Sequence, residues 1–275
     1  MRGTAPLGQK RGHQDASFSA IIYFHLTGES LRRKCQAEYS TFLSYNAFMS
    51  RASLTRVSEY LDSIIHLPPG ASLRLENVGW DEYEALISAL EAKPNLRLTY
   101  RQGTLEIMTP SALHESLKTF ITRLLQVLSE ECEVELETRG STTYKDHPRA
   151  EGAEPDECVY VGQPERILGK HRITLGVDPT PEIMIEIDVT HGSESKLAIY
   201  ESYGAPELWH YSKHRMRIFE LTAQGYKETD RSRYFPLLAS EQLTKIMNLS
   251  LQEGQSKTLK AFREWLRSSM RKDHD

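Results

Sequence analysis

The 275-residue chain is 39% hydrophobic and 26% charged, enough apolar material for one core of ordinary domain size plus appendages. Its formal charge of -4 excludes a global positive field, so any contact with nucleic acid has to come from local basic patches. The three cysteines, Cys35, Cys132 and Cys158, form no CxxC pair and leave an odd thiol, which argues against a zinc knuckle and against a secreted disulfide framework.

A reducing, cytoplasmic setting fits this cysteine usage best. The apolar stretch from Phe18 to Leu26 is about half the ~20 residues needed to span a bilayer and contains His25, so neither a membrane anchor nor a signal peptide is expected. Residues 1–48 carry six basic and three acidic side chains, +3 against -7 for the remainder, with no sustained period. They read as a disordered extension, and Met49, where more regular sequence begins, reads as a start. Residues 49–74 are expected to form a linker or helix.

From Val78 the signals sharpen. Asp81 with Glu84 predicts a capping box, followed by Tyr83, Leu86, Ile87 and Leu90 at helical spacing. Leu96–Tyr100 and Leu105–Met108 predict a β-hairpin turning through Arg101-Gln102-Gly103. Pro110 and Ser111 open a long amphipathic helix with Leu117, Phe120, Ile121, Leu124, Leu125 and Leu128 on one face. Strand-like runs follow at 134–137, 142–144, 157–161, 173–175 and 183–189, then a helix at 193–203 and two strands at 207–211 and 217–221. This order predicts an α+β fold: a mixed β-sheet flanked by helices, preceded by a helix and a hairpin. The last helix, 257–271, has an apolar stripe and a basic face of Lys260, Arg263, Arg267 and Arg271. That face suits either phosphates or plain solvent.

The chemistry concentrates in two strands. In Ile183-Met184-Ile185-Glu186-Ile187-Asp188-Val189 both acids point to one face. The other strand begins with Asp156 directly after Pro155. If the two strands pair, their carboxylates converge, and clustered desolvated carboxylates are costly without compensating positive charge. A hard divalent cation, Mg²⁺ or Mn²⁺, answers that need with oxygen ligands alone. Lys196, early in the next helix, offers a further cation. Each residue also has a plain structural reading: Asp156 as a turn residue, Glu186 on a solvated face, Asp188 as a strand-end acceptor, Lys196 as a surface lysine.

The ordered motifs Trp80-Asp81-Glu82-Tyr83-Glu84, Gly103 to Pro110, Ser111 with His114, Glu154-Pro155-Asp156, Ile185 to Val189, Lys196-Leu197, Tyr200, and Tyr203 to Trp209 together resemble the Uma-two family of restriction endonucleases, of the PD-(D/E)xK nuclease superfamily. The resemblance implies a restriction endonuclease-like domain over 75–235, and the apolar periodicity beyond it predicts a helical tail over 236–275. The resemblance also implies Asp156 and Glu186 as metal ligands and Lys196 as the lysine that has moved from the strand to the following helix. His114 and Tyr200 are then auxiliary, and so is Asp188, which occupies the position where a plain D/E-x-K motif has its lysine. The implied activity is Mg²⁺-dependent endonucleolytic hydrolysis of DNA, with a homodimer as one way to cut two strands. An alternative keeps the fold as a DNA-binding or regulatory module without turnover, on account of Asp188 and the negative charge. A glycosidase-type carboxylate pair is disfavoured because no aromatic-rich sequence surrounds the acids. The clusters Lys170-His171-Arg172 and Lys213-His214-Arg215 read either as backbone-gripping patches or as polar turns.

Overall fold

The computed structural model describes residues 51–90, 96–162, 164–189 and 194–272. All of them belong to the unit Phe48–Asp275, and the expected extension over 1–48 lies outside the described residues.

The first helix, α1 (Arg51–Ile65), and α2 (Trp80–Leu90) pack on a five-stranded antiparallel sheet. Its strands are β1 (Ser72–Leu75), β2 (Arg97–Arg101), β3 (Thr104–Met108), β5 (Tyr144–Asp146) and β6 (Glu151–Ala153), in the order β1-β3-β2-β6-β5. Alternation along β3 buries Leu105 and Ile107 completely, and with Leu86, Tyr83 and Val78 they form a core of their own. The β2–β3 hairpin forms as the sequence predicts, with Gln102 (φ 47°) and Gly103 (φ 93°) both in the positive-φ region that a two-residue hairpin turn requires. The cap of α2 falls two residues earlier than the sequence suggests. The helix starts at Trp80, so Glu82 is the side chain that reaches back to the Gly79 amide (2.8 Å), while Glu84 pairs instead with Lys145 (2.9 Å).

The second sheet has six strands in the order β11-β10-β9-β8-β7-β4. They are β4 (Leu136–Thr138), β7 (Glu157–Val161), β8 (Ile183–Asp188), β9 (Glu207–Ser212), β10 (Arg215–Thr222) and β11 (Gly225–Thr229). All pairings are antiparallel except β8 with β9, which run parallel. A parallel pair needs a crossover, and α4 (Glu194–Ser202) supplies it. The mixed sheet flanked by helices is the α+β architecture expected from the element order.

One face of this sheet packs on α3 (Ala112–Cys132), α5 (Ser240–Glu253) and α6 (Gln255–Lys272), around Ile183, Ile185, Ile187, Trp209, Phe120 and Phe262. Ser111 caps α3, its hydroxyl accepting from the His114 amide at 3.2 Å. On the basic face of α6, Arg263 and Arg267 are spent on the protein itself: Arg263 bonds Glu130 and Glu131, and Arg267 grips Glu131, all at the end of α3. The opposite face of the sheet carries Cys158, Met184, Leu208 and Phe219 beneath Ile199, Tyr200 and Tyr203.

The run at 173–175 does not become a strand. It makes a single bridge, Leu175 with Asp178, inside the long connection between β7 and β8. The run meets no neighbouring strand to pair with, and Asp178 holds the loop instead by accepting from the Thr174 amide (2.7 Å) and pairing with Lys170. The other basic cluster is also a turn: Lys213 and His214 are the two central residues of the β9–β10 hairpin, and Arg215 pairs with Glu228.

Candidate active site

The chain crosses from the first sheet to the second through Glu154-Pro155-Asp156, between β6 and β7. Asp156 therefore stands at the seam. The β7–β8 register pairs Glu157 with Ile185, and one step further along it sets Asp156 opposite Glu186. Asp156 Oδ2 accepts from the Ile187 amide at 2.8 Å, so the carboxylate continues the ladder where the backbone of β7 has left it. Proline, which lacks an N–H, suits that point of departure.

Glu186 is 1% exposed and Asp156 fully buried. Two residues of α4 reach down to Glu186: Lys196 Nζ donates to Oε2 at 2.8 Å and the Tyr200 hydroxyl donates to Oε1. They lie four residues apart and so share one helical face. His114, in the first turn of α3, brings Nε2 to 3.0 Å from Asp156 Oδ1 and Nδ1 to 3.4 Å from Glu115 Oε1. The strands and helices thus bring together Asp156, Glu186, Lys196, His114 and Tyr200. Asp188 is turned to other work, accepting from His210 Nε2 at 2.7 Å.

Electrostatics separate the two acids. Burial works against ionising Asp156, but His114, the Lys196 charge and the Ile187 amide together hold its carboxyl below the ordinary value. For Glu186 burial wins: Lys196 opposes it, the Asp156 and Asp188 charges add to it, and the group is pushed up to about 7. Burial also disfavours the charged Lys196, yet Glu186 and Asp156 more than offset this and raise the ammonium, which stays protonated. His114 is likewise raised against its burial by Asp156 and Glu115.

The donor set suits a hard cation. Asp156 Oδ1 is buried and makes no hydrogen bond, since the 3.0 Å approach of His114 is poorly aligned. A buried carboxylate oxygen without a bond is costly unless something occupies its lone pairs. Among the described residues no three Asp, Glu, His or Cys side chains converge tightly enough to cage an ion by themselves. Two carboxylates, with water and substrate oxygens completing the shell, would match the sparse protein ligation typical of Mg²⁺.

The sequence reading missed His210 and Arg217. His210 is 2% exposed in the strand Glu207-Leu208-Trp209-His210-Tyr211, two residues after the inward Leu208, so period-two alternation flags it as a polar group at a core position. Arg217 Nη2 donates to His210 Nδ1 at 2.9 Å. Its contact depends on the β9–β10 register, and nothing local to residue 217 announces it.

Residues 80–252 match a family model, Uma2, described as "Putative restriction endonuclease". None of the curated proteins matches the chain. Among solved structures, that of a "putative nuclease belonging to DUF820" from Anabaena variabilis is similar at 14% sequence identity and a TM-score of 0.41, over 55% of this chain and 90% of that one.

Proposed function

We propose, because the chain belongs to the Uma2 family, whose model matches well over half of it, that it is a Mg²⁺-dependent endonuclease hydrolysing phosphodiester bonds in DNA. The observation that carries this reading is the buried meeting of Asp156, Glu186 and Lys196 at the strand ends. The proposed catalytic domain is residues 75–235, buttressed by α5 and α6.

In this reading Asp156 and Glu186 hold the metal. When bound, it supplies charge neutralisation at a phosphate oxygen and lowers the pKa of an attacking water. Lys196 keeps its proton on Nζ and faces the charge that develops on the phosphoryl group, a preorganised electrostatic role. Tyr200 and Lys196, one on each oxygen, fix the plane of the Glu186 carboxylate. His114, 3.0 Å from Asp156 Oδ1, favours the charged form of Asp156. The Asp188–His210 bond favours this reading over the inactive module, because it draws Asp188 away from the metal's donor set. No helix among the described residues is long and apolar enough to cross a membrane.

The test is nicking of supercoiled plasmid in Mg²⁺, Mn²⁺ or EDTA by the full chain and by Asp156→Asn, Glu186→Gln and Lys196→Gln. Removing one preorganised group costs about 10²–10³ in rate, and each variant is expected to lose at least that much while still melting cooperatively. Because a buried ion pair that loses one partner costs roughly 3–5 kcal/mol, thermal melts must accompany the Lys196 and Glu186 variants. Metal-independent cleavage, or full activity in Glu186→Gln, would refute the assignment.

A further inference from the structure

The polar row that begins with Asp156 and Glu186 continues across two more strands. Glu186 lies beside His210 in the parallel β8–β9 register, and His210 lies opposite Arg217 in β10. One step back along the same face, the registers align Cys158, Met184, Leu208 and Phe219, every one of them buried. The face thus changes from apolar to ionic in a single step over four neighbouring strands. A solvated sheet edge would be ragged, whereas this boundary is straight.

The hydrogen-bond chain fixes what each group carries. A guanidinium only donates, so His210 Nδ1 is the acceptor of the Arg217 bond and Nε2 bears the hydrogen given to Asp188. Asp188 meets Arg217 only through the imidazole of His210, so no carboxylate touches the guanidinium there. Its remaining partners carry no charge: Ser212 Oγ at 3.4 Å and the Phe219 ring, 5.3 Å from the guanidinium carbon to the ring centroid. The neighbouring Arg215 and Arg233 are spent on Glu228 and Glu220. Among the described residues no carboxylate ion-pairs with Arg217, and its side chain is only partly buried.

We propose that Arg217, aimed by Asp188 through His210, binds a backbone phosphate next to the one being cleaved. The inference rests on the endonuclease reading above and adds the substrate contact that reading leaves out. Two strand spacings separate Arg217 from Glu186, about 10 Å. That backbone offset, with the guanidinium held at His210, points Arg217 to a phosphate further along the same strand, whose charges recur every ~3.4 Å along the helix axis. Arg217 is then a substrate-binding residue, and His210 and Asp188 are positioning residues. Asp188, the acid standing where a lysine was expected, serves as the fixed end of the strut.

The test is binding of a short fluorescent DNA duplex to the full chain in Ca²⁺ across a salt series, with cleavage in Mg²⁺ measured in parallel. Each neutralised phosphate contributes about 0.9 to the slope of log K against log salt on duplex DNA. Arg217→Gln is expected to lower that slope by about 1 and to weaken binding roughly tenfold, with kcat changed little, while Arg217→Lys keeps the slope. His210→Ala is expected to raise KM several-fold at nearly constant kcat. A fold defect would instead shrink the active fraction and lower kcat at constant KM. If the wild-type chain binds and cleaves but Arg217→Gln shows the same slope and affinity, the phosphate assignment is overturned and the endonuclease reading stands. If the wild-type chain neither binds nor cleaves DNA, both fall.

Discussion

Tyr83 sits fully buried against the first sheet, its ring stacked on Tyr100 at 4.6 Å, and its hydroxyl has no hydrogen-bond partner. Directly beneath it, Gly152 pairs with Tyr100, and a Cβ at that glycine would collide with the Tyr83 hydroxyl and ring. The two positions therefore respond in opposite ways. Gly152→Ala is expected to destabilise by about 1–3 kcal/mol, the usual cost of overpacking. Tyr83→Phe removes an unsatisfied polar atom and is expected to be neutral or slightly stabilising. Urea unfolding of both variants checks this, and a clear loss in Tyr83→Phe would reveal a bond that the hydroxyl makes. At the same scale, Asp156, Glu186 and Lys196 are singled out from the sequence by the ordered motifs that resemble the Uma-two family, and the structure brings these three side chains together. Which partner each would meet could not be read. The contacts of His114 with Asp156 and of Asp188 with His210 join residues 42 and 22 positions apart, the first set by how α3 packs on the sheet and the second by the β8–β9 register.

Elements with a long period were legible. The apolar face of α3 and the alternation of β8 predict their packing, and the hairpin of β2 and β3 announces itself through Gly103. Strand β5 overlaps the expected 142–144 run only at Tyr144, β6 (Glu151-Gly152-Ala153) carries no apolar alternation to announce it, and the 173–175 run shows one without having a neighbour to pair with. The β9–β10 hairpin illustrates a local choice that the fold overrides. Lys213 (φ 50°) and His214 (φ 60°) both adopt positive φ, the conformation for which Asn-Gly is the favoured pair in a two-residue turn. The double variant Lys213→Asn/His214→Gly is expected to gain about 1 kcal/mol. Its melting temperature decides the matter: no rise would mean that contacts of these two side chains offset the backbone strain.

At the scale of the whole molecule, α6 belongs to the packing rather than to the periphery. Leu259, Phe262 and Leu266 are buried in the core they share with α3 and the second sheet, and Arg263 and Arg267 close over Glu130 and Glu131. The family match stops at residue 252, before this helix begins. The stretch that the family model covers and the stretch that packs as one core are thus different lengths of chain. Burial of three such side chains is worth roughly 2 kcal/mol each, a large share of the 5–15 kcal/mol that typically holds a domain folded. A fragment ending at 252 is expected to be sticky and poorly soluble, with an apolar strip of α3 open to water. A synthetic peptide covering 253–275, added during refolding, should restore a monodisperse species by complementation in trans, as gel filtration would show. A fragment that is monodisperse and stable alone would mean that α3 and α5 close that gap unaided.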